Sequence, residues 1–401
     1  MTRWIWADLV AFDAAAADYG LDDYLARCGF VPDVVSLLLF NPEVVHGHDG
    51  LAAARPLPPD CCSYGAHPYG YDRPRQEWST HQLRGLVRAL TERGIAPYLS
   101  VMDLFRTPGW LGDHPEVWHV GPRGRWQSVC PYKRLADGTW YQDFFTAQLA
   151  RTLTDYGFAG FHQPDGYCHP RPTLYQGDYS DDLIDQYLAA GGELPADLQR
   201  PCGDDPATIS RRGEWLWANQ RRAWIGFYVA RTTHFCRTVA EAVHGVGGQL
   251  WLNNAMTREP VEALYRYGTD YRRLAEFADG FVAETVAPTV TIGGESGMPG
   301  EPHHELQAML LLFSEAVAPR PVVCLNGVHD AHEQWDVLRH GPALIERELT
   351  EQGHLFRWTT AGPVRCAAGP VVCLGDGLAP HEWDWLRGWW SRAVEAVPSR
   401  L

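Results

Sequence analysis

The sequence predicts an α/β protein closed into a (β/α)8 TIM barrel with long loops after its strands. Two observations carry this. Short apolar runs rich in Val, Leu and Ile recur along the 401 residues, and such runs suit strands buried on both faces of a parallel sheet. Stretches with helical spacing separate these runs, and alternating β and α elements imply right-handed parallel crossovers. Eight such units favour closure over an open sheet. The glycines of Gly245-Val-Gly-Gly follow a helical stretch and not a strand, so they are no dinucleotide fingerprint. Residues 1–401 are expected to form one barrel domain, with insertions at about 46–78, 106–142 and 167–212.

The elements follow in order. Trp4 to Phe12 reads as a first strand with Asp8 within it or at its tip, and Leu21 to Gly29 as a short helix capped by Gly29. Val34 to Phe40 is a second strand, ending in Asn41-Pro42-Glu43. Residues 46 to 78 lack periodicity, and long ordered loops tend to be functional. Thr80 is expected to cap a helix reaching Gly94. Ala96 to Met102 is a third strand closing on Asp103, followed by a hairpin excursion over 117–142 with a turn at Gly138. A helix through Phe144–Tyr156 leads into the short strand Phe158–Phe161, which ends in His162-Gln-Pro-Asp165. A helix at Asp181–Leu188 interrupts the next loop, and a long helix spans about Arg212–His244. Gln249–Leu252 is a fifth strand, tipped by Asn253 and Asn254. Val261–Phe277 is helical, and Gly280–Ala283 is a sixth strand, tipped by Glu284. The glycine-rich stretch Gly293–Gly300 has the composition of a lid. A helix at His304–Ala318 precedes the seventh strand, Arg320–Leu325, tipped by Asn326 and followed by His329. A helix over Trp335–Thr350 precedes the eighth strand, Gly369–Leu374, tipped by Asp376, and a Trp-rich helix ends the chain.

Composition narrows the partners. A net charge of −15 argues against nucleic acid and anionic membrane, both of which need basic surface. No run of about 18 apolar residues is present, and no signal peptide is visible, so a cytoplasmic location with reduced thiols is expected, or the mature form of a secreted chain. The 10 Cys show no metal-ligand spacing. With 17 Trp, aromatic faces are available for sugar rings, and Trp110, Trp118 and Trp126 in the third-strand excursion are the candidates.

If the barrel closes, the strand tips meet on one face. They supply Asp8, Asn41 with Glu43, Asp103, Asp165, Asn253 with Asn254, Glu284, Asn326 with His329, and Asp376. This ring is rich in carboxylates and carboxamides and has no lysine. Paired carboxylates are the usual machinery of glycosidic bond cleavage, one attacking or activating water and the other protonating the leaving oxygen. Asn and Asp suit sugar hydroxyls because they donate or accept in fixed directions. The expected catalytic pair is Asp165 and Glu284. The expected substrate-binding set is Asp8, Asn41, Asp103, Trp110, His162, Gln163, Asn253, Asn254, Asn326, His329 and Asp376. No metal or cofactor is expected, and the partner is a carbohydrate.

The stretch Gly157-Phe-Ala-Gly-Phe-His-Gln-Pro-Asp-Gly resembles the fourth-strand segment of retaining TIM-barrel glycoside hydrolases of the α-galactosidase/α-glucosidase clan and the dextranase-like group. The resemblance implies Asp165 as nucleophile and Glu284 as acid/base. It covers about ten residues. Ala159 stands where those families carry Asp, and Gln163-Pro164 shifts the carboxylate by one position. Two alternatives stand beside it. His46-Gly-His48-Asp49 and His329-Asp-Ala-His332-Glu333 offer metal-ligand spacings for a metal-dependent barrel hydrolase. The irregular Gln163-Pro164-Asp165 segment also fits a non-catalytic carbohydrate-binding barrel.

Overall fold

The computed structural model describes residues 1–62, 76–103, 109–164, 166–168, 170–254, 260–285, 303–330 and 335–395. Eight parallel strands close into a barrel: β1 (Trp4–Ala7), β2 (Val34–Leu38), β3 (Ala96–Ser100), β4 (Gly160–Gln163), β5 (Gln249–Asn253), β6 (Gly280–Thr285), β7 (Val322–Gly327) and β8 (Gly369–Cys373). Each pairs with its sequence neighbour, and β8 returns to β1 through Trp4 opposite Val371. The intervening helices are α1 (Leu21–Cys28), α2 (Thr80–Glu92), α3 (Tyr141–Tyr156), α4 (Arg221–Gly245), α5 (Tyr271–Leu274), α6 (His303–Ala316) and α7 (Pro342–His354), with α8 (Pro380–Glu395) after β8.

Strand alternation divides the buried residues into two cores. Trp4, Trp6, Val34, Leu38, Tyr98, Val282, Val323, Leu325 and Val371 fill the barrel interior. Their neighbours Ile5, Val35, Leu37, Leu99, Phe161, Leu250, Leu252, Phe281, Cys324 and Val372 pack outward under the helices. Both faces of these strands are buried, which is why the sequence shows continuous apolar runs. The interior also carries polar joints. Ser36 Oγ accepts from Trp4 Nε1 at 2.8 Å and lies 3.1 Å from His162 Nδ1. Tyr98 donates to Gln249 Oε1 at 2.5 Å.

Several elements differ from the sequence reading, each for a local reason. Ser79, and not Thr80, caps α2 in a reciprocal capping box with Gln82, an arrangement worth about 1 kcal/mol. The first strand stops at Ala7, and Leu9–Ala11 forms a 3-10 turn. The long helix is two: Pro206–Asn219 begins at an Asp205 cap with Pro at N1, and α4 starts afresh after Gln220. The single helix expected over 261–277 is broken by a π-helical turn at Ala263–Tyr267 that ends on Gly268, whose φ of 67° closes it. The helix expected from Trp335 begins as a short strand, Trp335–Asp336, and restarts at Pro342. The excursion after β3 is an antiparallel hairpin, Trp118–Gly121 with Gly124–Val129, and Gly138 turns a separate bridge between Arg134 and Trp140. The Gly293–Gly300 stretch lies outside the described residues. No described helix is long and apolar enough to cross a membrane.

Candidate active site

The end of β6 presents Glu284. Val282, two residues earlier, belongs to the interior core, so the two-residue period turns Glu284 to the barrel mouth. The residue is partly exposed. Its Oε2 accepts a 2.8 Å hydrogen bond from Nδ2 of Asn253, which is itself fully buried at the end of β5. Asn254 accepts the Glu284 backbone amide on Oδ1 at 2.6 Å. Two adjacent carboxamides thus fix one carboxylate, the first through its side chain and the second through its backbone. The Asn253 amide donates to the carboxylate and holds Oε2 in place.

A second carboxylate lies beyond β3. Asp103 is fully buried, and Arg171 donates to its Oδ1 from Nε at 2.9 Å and from a terminal nitrogen at 2.6 Å. Its Oδ2 has no hydrogen-bond partner among the described residues. Gly166 lies against this carboxyl: a Cβ there would stand 2.0 Å from Asp103 Cγ, and its φ is +87°. Close approach and backbone angle therefore both require glycine at 166. Asp165 lies outside the described residues.

The tips of β1, β7 and β8 bring Asp8, His329 and Asp376 together. Asp376 is 6% exposed, and burial raises its carboxyl above the usual range, while the His329 charge and the amides of Asp376 and Asp8 pull it back. Asp8 is fully buried beside this group.

Five other predicted residues are turned to different tasks. Gln163 and Asn326 stand on the outward phase of their strands. Gln163 Nε2 donates to the Tyr167 carbonyl at 2.5 Å and faces Cys236 of α4 at 3.5 Å. Asn326 Nδ2 donates to Glu348 Oε2 on α7 at 2.9 Å, with both residues buried. Both join strand to helix. His162 is buried in the interior between Ser36, Trp4 and Trp6. Asn41 accepts the Glu43 amide at 2.9 Å and starts the short helix Glu43–His46. Trp110 stacks on Phe144 and His114 at centroid distances of 4.4 and 4.0 Å, so packing already engages its ring. Trp118 donates to the Leu111 carbonyl. Trp126 lines a cleft of about 140 Å³ with Tyr175, Arg123, Gln176 and Glu214.

Two histidines of the metal alternative, His46 and His48, are engaged by other side chains. His46 Nε2 is 2.8 Å from the Tyr141 hydroxyl and His48 Nε2 is 2.7 Å from Asp155 Oδ2. His332 and Glu333 lie outside the described residues. The sequence reading missed Arg171, the partner of Asp103. The two are 68 residues apart, so no local spacing announces the pair.

No family model matches the sequence, and no curated protein matches it. Solved structures match its fold. The glycoside hydrolase domain of PgaB (BpsB) from Bordetella bronchiseptica aligns with a TM-score of 0.56 at 12% identity over 100% of both chains. The catalytic domain of the β-amylase from Paenibacillus polymyxa aligns at 0.57 and 11% identity, covering 98% of each chain. The α-L-fucosidase isoenzyme 2 from Paenibacillus thiaminolyticus aligns at 0.53 and 13% identity, covering 99% of this chain and 50% of its own. The class defined is the TIM barrel, shared at low identity with several glycoside hydrolases.

Proposed function

We propose that residues 1–401 form one catalytic barrel that hydrolyses or transfers glycosidic bonds of an oligosaccharide or glycoconjugate, with retention of configuration. The observation that carries this reading is Glu284, a carboxylate at the barrel mouth held by Asn253 and Asn254. The fold neighbours whose names mark them as glycosidases support it. In the first step Asp165 attacks the anomeric carbon while Glu284 passes its proton to the leaving oxygen. In the second, Glu284 takes a proton from water, and the water oxygen displaces Asp165. Asp103, clamped by Arg171, and the Asp8–His329–Asp376 group offer acceptors and donors for sugar hydroxyls.

The test is a panel of aryl α- and β-glycosides with wild type, Asp165→Asn and Glu284→Gln. Wild-type turnover that falls at least about a hundredfold in both folded variants supports the assignment. Turnover that survives both substitutions overturns it. Sugars that raise the melting temperature without turnover would point to the binding barrel instead.

A further inference from the structure

The hairpin after β3 and the loop after β4 meet at a buried cluster that the glycosidase reading does not use. His119 lies in the strand Trp118–Gly121, Cys130 directly follows Gly124–Val129, and Asp178 precedes the helix Asp181–Ala189. An imidazole nitrogen, the thiol sulfur and a carboxylate oxygen all lie within 4.8 Å of one another. His119 is 2% exposed, and Cys130 and Asp178 are fully buried. Among the described residues neither ring nitrogen of His119 has a hydrogen-bond partner, although Nδ1 stands 3.9 Å from Asp178 Oδ2. Buried polar groups are almost always hydrogen-bonded, so this ring needs an explanation. Burial lowers its pKa, which leaves it neutral with a lone pair to offer.

We propose that His119, Cys130 and Asp178 bind a divalent transition metal ion, zinc by preference, that staples the hairpin to the β4 loop. Thiolate, imidazole and carboxylate together are a zinc donor set, and three protein ligands leave a fourth position for water. The Asp178 carboxylate is already oriented: Oδ2 accepts the Val120 amide at 2.9 Å and Oδ1 the Ser180 amide at 2.8 Å. Such outer bonds are what hold metal ligands in place. Lys133 is the competing cation. Its Nζ donates to the Trp118 carbonyl at 2.8 Å and stands 3.5 Å from Asp178 Oδ2. It neutralises Asp178 when no ion is bound, and its flexible stem can stay on the carbonyl when one enters. On binding, the Cys130 thiol releases its proton to solvent. The thiolate and Asp178 then offset the ion's two charges, and the Lys133 ammonium leaves the site with one net positive charge.

The test is metal analysis of full-length protein purified without chelator and then incubated with zinc. Wild type should hold about one equivalent per chain, and Cys130→Ser and His119→Ala less than about a tenth of that. Glu284→Gln should hold the wild-type amount. Cobalt(II) loaded into wild type should show a sulfur-to-cobalt charge-transfer band that Cys130→Ser, shown to be folded by circular dichroism, lacks. No bound ion and no cobalt band in wild type would overturn the proposal. So would full occupancy in both ligand variants, or loss of the ion in Glu284→Gln.

Discussion

Replacing His46 with Gln should flatten the acid side of the stability profile. His46 is 3% exposed, and its ring is surrounded by Trp110, Tyr141, Phe144 and Phe145. Its Nε2 meets the Tyr141 hydroxyl, and its Nδ1 is buried without a hydrogen bond among the described residues. Burial, helped by the nearby His114, lowers the pKa from 6.5 to about 3. The folded pKa lies below the unfolded one, so the unfolded chain takes the proton first. The stability from His46 is therefore present above about pH 6.5 and lost as pH falls toward 3. Each pH unit is worth about 1.4 kcal/mol, so at pH 5 the loss is about 2 kcal/mol, and the full loss near pH 3 is about 5 kcal/mol. Urea unfolding followed by Trp fluorescence at pH 8 and pH 5 measures it. His46→Gln removes the titration and can keep a bond to Tyr141. It should lower stability at pH 8 through lost ring packing, yet lose about 2 kcal/mol less than wild type between pH 8 and pH 5. Equal losses in the two proteins, or a His46 resonance titrating near 6.5 in the folded state, would refute the reasoning.

Three further substitutions test the site. Asn253→Ala removes the amide that donates to Glu284 Oε2, a bond that favours the ionised carboxylate; the alkaline limb of kcat/KM should move up, and an unmoved limb would separate Glu284 from proton donation. Asn326→Leu should cost about 2 kcal/mol in urea unfolding, because Glu348 loses a buried donor, while kcat/KM stays within about twofold of wild type; a large loss of turnover would place Asn326 at the substrate. Arg171→Met strands a buried Asp103 and should cost about 3–5 kcal/mol, with much of the loss recovered in Arg171→Met/Asp103→Asn; equal instability of single and double variants would argue that Arg171 acts elsewhere.

The barrel was legible because strands buried on both faces must be apolar throughout, as Val34–Phe40 and Gly280–Ala283 are. That property also hid the facing of their tips. A run apolar on both sides gives no parity, so Glu284 and Asn326 read alike although one reaches the mouth and the other bonds to Glu348 on α7. The helix breaks at Gln220 and Gly268 fall inside stretches with unbroken helical spacing, and local backbone conformation overrides that pattern. Pairs made across the chain, such as Asp103 with Arg171 or His119 with Asp178, leave no spacing to find.

The most direct measurement is rescue of Glu284→Ala by azide on an activated aryl glycoside, with the product anomer followed by proton NMR. Removing the acid/base should leave glycosylation fast with a good leaving group and stall deglycosylation. Azide, which needs no general base, should restore turnover and give a glycosyl azide of retained configuration. Wild-type rates in Glu284→Ala without azide, or a rescued product of inverted configuration, would contradict the assignment of Glu284 as the acid/base of a retaining barrel.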